Sequence, residues 1–456
     1  MPQAPRVSSA VALGVLLACG ATAHAQVGLS LNRAGSGARA AGMGDAFIAV
    51  SDDGTAASWN PAGLAQLRQP EFSLVYVVSE HGLDLSGVRS LDGNVAYATP
   101  AYGYTNSSID FASAAVPFSI AAKPTTVQVG WHRLYQLSAD LTGNVERVPL
   151  DPPGPSALVS KEGRTVGDID VLSLAGAVKL TKRLSLGGSV NFWRGGWTDR
   201  RSLIDSSVPP GEAAFFTAEQ EVRMRGTNFS GGLLLTYPAW NVGLVYHAPF
   251  WSSFAVDGEA IVPEGPRAVA ADLRFHLPRS IGAGLARRFG PRWTASVAVT
   301  HDRWTETLLE GMPGAEGPVN FFDNAPPDLS TTRDTVSVNA GLEHLVLREG
   351  SVVPLRLGFG WEPQGGMDSL TLDPVGYRLV TAGAGYNTNR FKFDAAVQYR
   401  WGTFRVSEIY SPSTAAVEGR DAVALASADE WRIKVSAIYR LADTDALKGF
   451  LRRIFG

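Results

Sequence analysis

The stretch EWRIKVSAIYRL, residues 430–441, alternates apolar and polar side chains almost without a break. Trp431, Ile433, Val435, Ala437, Tyr439 and Leu441 share one parity. Arg432, Lys434, Ser436 and Arg440 share the other, and Ile438 is the exception. Successive side chains of a β-strand point to opposite faces, so this run builds one apolar wall and one polar wall. FKFDAAVQYRW, residues 391–401, does the same, with Phe391, Phe393, Ala395, Val397, Tyr399 and Trp401 against Lys392, Asp394, Gln398 and Arg400. LSLGGSVNF (184–192) and WTASVAVT (293–300) repeat the pattern.

Fourteen such stretches run from Glu71 onward: 71–82, 109–122, 125–138, 167–183, 184–198, 219–237, 240–262, 272–289, 292–306, 333–347, 353–364, 377–388, 391–405 and 429–441. Their connections alternate in length. Long ones (83–108, 139–166, 199–218, 263–271, 307–332, 365–376, 406–428) take turns with short ones such as KP, TKR, PA, GPR, REGS and TN. A soluble sandwich or propeller explains the alternation of side chains but not this bias, and no repeat of propeller length is visible. A transmembrane antiparallel barrel explains both: an even strand number, short turns on the periplasmic side and longer loops outside. Aromatics at strand ends fit its two interfacial girdles. Closing the sheet satisfies every backbone group within lipid. The reading is therefore all-β, a barrel of about fourteen strands over 71–441, both termini periplasmic.

Composition narrows the function classes. The 456 residues carry a net charge of −3 with 18% charged residues, so no basic patch points to nucleic acid. MPQAPRVSSAVALGVLLACGATAHAQ opens with Arg6, an apolar run from Ala10 to Ala18 and a small-x-small site, Ala23-His24-Ala25. That reads as a signal peptide over 1–25. The alternative is a lipoprotein box ending at Cys19. Cleavage after Ala25 leaves a mature chain without cysteine, in keeping with an exported protein needing no disulfide.

Between leader and first strand lies GARAAGMGDAFIAVSDDGTAASWNPAGLAQ, residues 37–66. Gly42, Gly44, Gly54 and Gly63 suit tight turns and close backbone approach. Pro61 fixes its own φ and restricts Asn60 to extended geometry. This segment, with its Asn60-Pro61-Ala62 triplet followed by Gly63, resembles the N-terminal hatch of the FadL family of outer-membrane transporters for fatty acids and other hydrophobic compounds. LPRSIGAGLARRFGPRWTASVAVTHDRWTE, residues 277–306, is similar to that family's proline-led strand pair ending in a Trp-containing motif, here Arg303-Trp304-Thr305. Secretion-shuttle barrels carry a similar WNPAGL segment, so the motif does not fix the substrate.

The resemblance implies a Gram-negative outer-membrane barrel, a monomer whose partners are membrane lipid and a hydrophobic small molecule. It implies a hatch over 26–70 that plugs the lumen. Capture by outer loops, passage into an apolar pocket and hatch movement follow. It also implies a lateral gap at a kinked strand near the third, where Gly130 is the candidate bend. No reaction, catalytic residue, metal or cofactor is implied. The rival is a non-transport barrel, a secretion shuttle or surface scaffold, with its lumen sealed by side chains.

Five basic residues occupy the polar wall of the last two strands: Lys392, Arg400, Arg432, Lys434 and Arg440. Each is a candidate partner for a fatty-acid carboxylate. The competing reading is an internal lattice of ion pairs with Asp394, Glu343 and the hatch aspartates. Asp45, Asp52 and Asp53 lack the spacing of a calcium loop and read as hatch surface. GSGARAAG lacks the P-loop Lys-Ser/Thr, the seven histidines are scattered and no HExxH occurs. In the tail, 442–456, Leu447, Phe450, Leu451, Ile454 and Phe455 form one helical face. That face suits the inner leaflet or the periplasmic end of the barrel, and a frayed terminus is the alternative.

Overall fold

The computed structural model describes residues 32–89, 94–205, 215–262, 265–408 and 422–442. The proposed leader and Cys19 lie outside these residues, as does the tail beyond residue 442. Fourteen antiparallel strands form a closed barrel: β1 (Glu71–Arg89), β2 (Tyr102–Ile120), β3 (Lys123–Gln136), β4 (Ala157–Lys179), β5 (Leu184–Asp205), β6 (Phe215–Thr236), β7 (Trp240–His247 and Phe250–Val262), β8 (Gly265–Leu277 and Ser280–Phe289), β9 (Trp293–Asp302), β10 (Thr335–Arg348), β11 (Ser351–Met367), β12 (Pro374–Asn387), β13 (Phe391–Glu408) and β14 (Ala422–Arg440). Each pairs with the next, and β14 closes on β1 from Glu71↔Arg440 to Arg89↔Val423.

The two walls fall as the alternation predicts. Trp431, Ile433 and Val435 are exposed on the outside, whereas Lys434 and Ser436 are buried inside. Ile438, out of phase in the sequence, is also buried. The outer surface carries a broad apolar band that includes Leu74, Val129, Leu174, Phe229, Leu285 and Phe359. The inner wall is polar, with Gln128, Asn228, Asn241, Asn339, Arg356 and Asp394 all buried.

Three differences from the sequence reading have local causes. The turn expected at Lys123-Pro124 lies at Ala121-Ala122, both with positive φ (49° and 61°), and Lys123 and Pro124 begin β3. The stretches 240–262 and 272–289 are each broken in two, at Ala248-Pro249 and at Pro278-Arg279. Proline has no N–H for the ladder, and the two breaks lie side by side because His247 pairs with Ser280 and Phe250 with Leu277. The strands also run further into the long connections, which contain short strands at Val95–Ala98, Gly143–Pro149 and Leu308–Glu310. Those segments lack the strict alternation of a two-faced wall.

Candidate functional site

Among the described residues, the N-terminal segment from Asn32 to Pro70 contains only short elements, one helical turn at Ala38–Gly42 and two 3-10 turns at Ala56–Ser58 and Pro61–Gln66. The glycines and Pro61 explain that brevity, since they interrupt both helices and strands, and the alanines between them keep the segment compact. Most of it is buried, with Met43, Phe47 and Leu64 fully so. It is enclosed by inward-facing residues from strands around the barrel. The Asn241 amide donates to Ala49 O at 3.0 Å and the Asn339 amide to Gly44 O at 2.8 Å. Gln128 donates to Gly54 O, and Gln398 donates to Asp45 Oδ2 at 3.1 Å. Thr381 Oγ1 donates to Gly42 O, and Gly44 N donates back to it at 3.0 Å. Wall side chains thus take over the hydrogen bonds that this irregular backbone cannot make for itself.

The wall is shaped to admit it. A Cβ on Gly187 or Gly232 would collide with the Asn60–Ala62 turn, and one on Gly341 or Gly358 with Met43 and Gly44. At Gly243 and Gly284 a Cβ would come within 2.5 Å of Ile48 O and 2.9 Å of Ala49 N. These inward glycines come from separate strands, and their common feature is the backbone they face.

Asn60 is the most engaged residue of the predicted quartet Asn60, Pro61, Ala62 and Gly63. Its Oδ1 accepts from Ala62 N at 3.1 Å, capping the 3-10 turn that Pro61 begins. Its Nδ2 donates to Ile48 O and to Leu233 O of β6, both at 3.1 Å. Gly63 packs so tightly on Ser51 that no side chain fits.

The five basic residues all face inward, in a dense carboxylate field. Arg400 lies 3.4 Å from Glu430 and 3.6 Å from Glu362, and Arg432 lies 2.6 Å from Glu430. Lys434 pairs with Asp110 at 3.2 Å and Arg440 with Glu71 at 2.8 Å. The Lys392 ammonium acts on Asp53. Arg356, fully buried, bridges Glu343 and Asp394 at 2.7 Å each, and Arg39 of the N-terminal segment completes the lattice on Glu343 at 3.0 Å. Burial alone would raise the Asp53 carboxyl, but Lys392, Arg39 and two Thr55 hydrogen bonds outweigh it and hold it below the usual carboxylate range. Asp45 goes the other way: burial, with Glu362 nearby, pushes it up to about 6.

Above the segment, toward the long loops, the lumen turns apolar. Tyr135, Trp193, Phe250, Phe254 and Phe275 form one cluster, joined by Trp304, Phe321 and Phe322 from the connection after β9. Across the barrel Leu83, Tyr97, Tyr102, Tyr377 and Phe404 form another. Arg33 reaches from the N-terminal segment to this region, 5.5 Å from the Trp193 ring centre, and donates to Pro278 O at 3.0 Å. A cavity of about 90 Å³ lies between, lined by Arg33, Asp45, Trp59, His247, Arg400 and Glu430 among others. The aromatic lining and Arg33 were not among the residues singled out from sequence. The signal was present in the inward parity of Trp193, Phe250, Phe254 and Phe275, but parity alone does not say which inward residues meet across a barrel.

One side of the wall parts. β2 and β3 pair only from Phe111↔His132 to Ile120↔Lys123. Beyond Phe111, β2 pairs with β1 alone, and beyond His132, β3 pairs with β4 alone. Asp110 is the extra residue of a bulge at the fork, and β3 shifts register between Arg133 and Tyr135. Gly130 lies three residues before that shift, in unbroken register with Ser113 and Ser173. Ser36 of the N-terminal segment donates to the Asp110 carboxylate at the fork. Higher up, Asn106 Nδ2 spans the opening to Ser138 O at 2.7 Å.

No family model matches the chain, and no curated protein does. Solved structures do. A Pseudomonas aeruginosa FadL homologue superposes with a TM-score of 0.63 at 14% identity, covering 91% of this chain and all of the other. The P. putida toluene transporter TodX gives 0.58 at 15% identity, covering 90% and 99%. The Ralstonia pickettii toluene transporter TbuX gives 0.54 at 14%, covering 90% and 99%. The chain has the FadL-type fold.

Proposed function

We propose that this protein is an outer-membrane barrel of a Gram-negative bacterium that passively admits hydrophobic small molecules, with residues 26–70 as its hatch. The observation that carries the reading is the link between the enclosed segment and the parted wall: Ser36 holds Asp110 where β2 and β3 separate. A hydrophobic molecule captured by the long loops enters beside Trp193, Phe250 and Phe275. Displacing the start of the hatch then releases Asp110, and the molecule leaves sideways between β2 and β3 into the bilayer. The likeness to a FadL homologue and to toluene transporters supports this class of cargo. The engaged state of Arg400, Arg432, Lys434 and Arg440 favours a neutral hydrocarbon over a fatty acid, because a carboxylate would have to displace a carboxylate already in place. No residue is assigned a catalytic role, and no metal or cofactor a place.

The test is a disulfide across the fork, Asn106→Cys with Ser138→Cys. Oxidation is expected to abolish uptake of labelled toluene and reductant to restore it. Uptake unchanged in the locked barrel overturns the lateral route. The inward packing of Trp304, Phe321 and Phe322 favours the rival reading, a sealed barrel serving secretion or as a surface scaffold. Wild-type barrels that do not speed hydrocarbon entry into liposomes would overturn uptake and leave that rival standing.

A further inference from the structure

On the outer surface, Arg194 of β5 and Arg225 of β6 are direct cross-strand partners. Both side chains are exposed and both point away from the lumen. Their Cβ atoms are therefore about 4.5–5.5 Å apart, and like charges so placed repel. The carboxylates nearby are taken: Asp170 by Arg133 at 3.2 Å, Asp257 by Arg223, Glu310 by Arg274 at 2.9 Å. Among the described residues, neither the Arg194 nor the Arg225 guanidinium has an ion-pair or hydrogen-bond partner. Asp170, the cross-strand neighbour of Arg194 on β4, already pairs with Arg133, and on the far side Arg225 faces Ser253, so the row supplies no carboxylate of its own for the two facing cations.

Their height on the barrel supplies a reason. Arg194 lies ten residues above Leu184, where β5 leaves its short turn, and Arg225 eleven residues above Thr236, where β6 enters its own. At about 3.3 Å per residue and a tilt of about 40°, ten residues climb about 25 Å, the height of a barrel's apolar band. Below the pair, Thr227 apart, the outward side chains are apolar, Phe192, Leu186 and Phe229 among them. Above it charged side chains predominate, with Arg200, Glu219, Glu221 and Arg223. The pair thus marks the edge of the band nearest the long loops, where lipid head groups sit.

On the membrane reading proposed above, we infer that Arg194 and Arg225 form a binding site for a phosphomonoester-bearing lipid of the leaflet on the long-loop side. Two unpaired guanidiniums match a phosphomonoester of charge about −1.5 to −2 at neutral pH. Each can hold the phosphate through two N–H···O bonds. A phosphodiester lipid supplies one negative charge and leaves the repulsion half-compensated. The acyl chains of a lipid held there lie over Phe192 and Phe229, so head group and tails both find complementary surface.

The experiment uses the full-length protein, refolded in maltoside micelles, with diphosphorylated lipid A, phosphatidylglycerol or inorganic phosphate added, and native mass spectrometry as the readout. Wild type is expected to retain lipid A in preference to phosphatidylglycerol. Arg194→Gln with Arg225→Gln should lower that retention by at least about tenfold, a loss of one charge-assisted contact or more. The charge-matched control, Arg223→Gln with Arg274→Gln, should retain it. Equal retention by the Arg194/Arg225 variant, equal retention of phosphatidylglycerol, or displacement of lipid A by inorganic phosphate at matched concentration overturns the site. A wild type that inserts into liposomes yet holds no lipid A also overturns the site, leaving the membrane reading intact. A wild type that stays outside liposomes overturns both.

Discussion

Asn60 in the N-terminal segment donates to the carbonyl oxygen of Leu233 on β6, across 173 positions of sequence. The same amide nitrogen donates to Ile48 O, so one side chain ties two parts of the segment to each other and to the wall. The contact is possible because residue 232 is glycine, where any Cβ would collide with Asn60 Oδ1.

Asn60→Ala should leave the barrel folded and loosen the segment. The variant strands the buried Ile48 carbonyl and uncaps the turn at Ala62, a local loss of about 1–3 kcal/mol. Most of the wall's ladder bonds are untouched. Heat-modifiable gel mobility should stay that of wild type, while limited proteolysis within 33–70 quickens and hydrocarbon uptake falls. Unchanged uptake removes the segment from the transport path.

Gly232 and Gly231 are neighbours on opposite faces of β6, and they give a sharper contrast. Gly232→Ala drives a methyl group into Asn60 and Pro61. Nothing lies within 4 Å of a Cβ at Gly231. Overpacking of this kind destabilises by about 1–3 kcal/mol. The expected result is a displaced segment, read as faster proteolysis, in Gly232→Ala only. Equal behaviour of the two variants would mean that the fit between wall glycines and segment is not what positions it.

Lipid-facing polarity separates Val435 from Lys434. Val435 is 48% exposed and Lys434 6%. Val435→Lys and Val397→Lys each should destabilise the folded barrel in liposomes by about 2–4 kcal/mol if near the midplane. Lys434→Val now carries its own penalty, because it leaves Asp110 buried with its ion pair broken, a loss of about 3–5 kcal/mol. Coupling it with Asp110→Asn should recover most of that loss. If Val435→Lys and Val397→Lys are both neutral, the outer wall does not face lipid.

Asp45 makes stability depend on pH in a predictable direction. Its carboxyl is raised to about 6 in the folded protein from an unfolded value of 3.8. Between those values the folded state binds the extra proton, so stability contributed by this group falls as pH rises. The penalty is complete once the group is ionised above about pH 6. Asn tolerates the left-handed backbone that Asp45 adopts at φ 63° and keeps an acceptor for Gln398. Asp45→Asn should therefore be the more stable protein at about pH 7, with the gap closing as pH falls toward about 4. A gap that is constant or opens on acidification contradicts the raised value.

The sequence by itself determined the barrel. Side-chain alternation is a local property with a period of two, so EWRIKVSAIYRL reveals its walls without knowledge of any partner strand. The alternation of connection lengths is equally local and points to an even strand number, although the connection read at 263–271 shrinks to a turn between Val262 and Gly265. The alternation runs straight through Pro249 and Pro278, and only the register, which sets the two breaks side by side, shows where the strands part. What only the tertiary structure decided is everything that joins the N-terminal segment to the wall. Gly187, Gly232, Gly243, Gly284, Gly341 and Gly358 form no motif along the chain. They become a single surface because the closed sheet turns them toward one backbone. The same holds for Ser36 at the β2–β3 fork, and for Lys434, whose partner Asp110 is 324 residues away. Close approach and ion pairing depend on distance in space, and a strand's period says only which way a side chain points, not what it will meet.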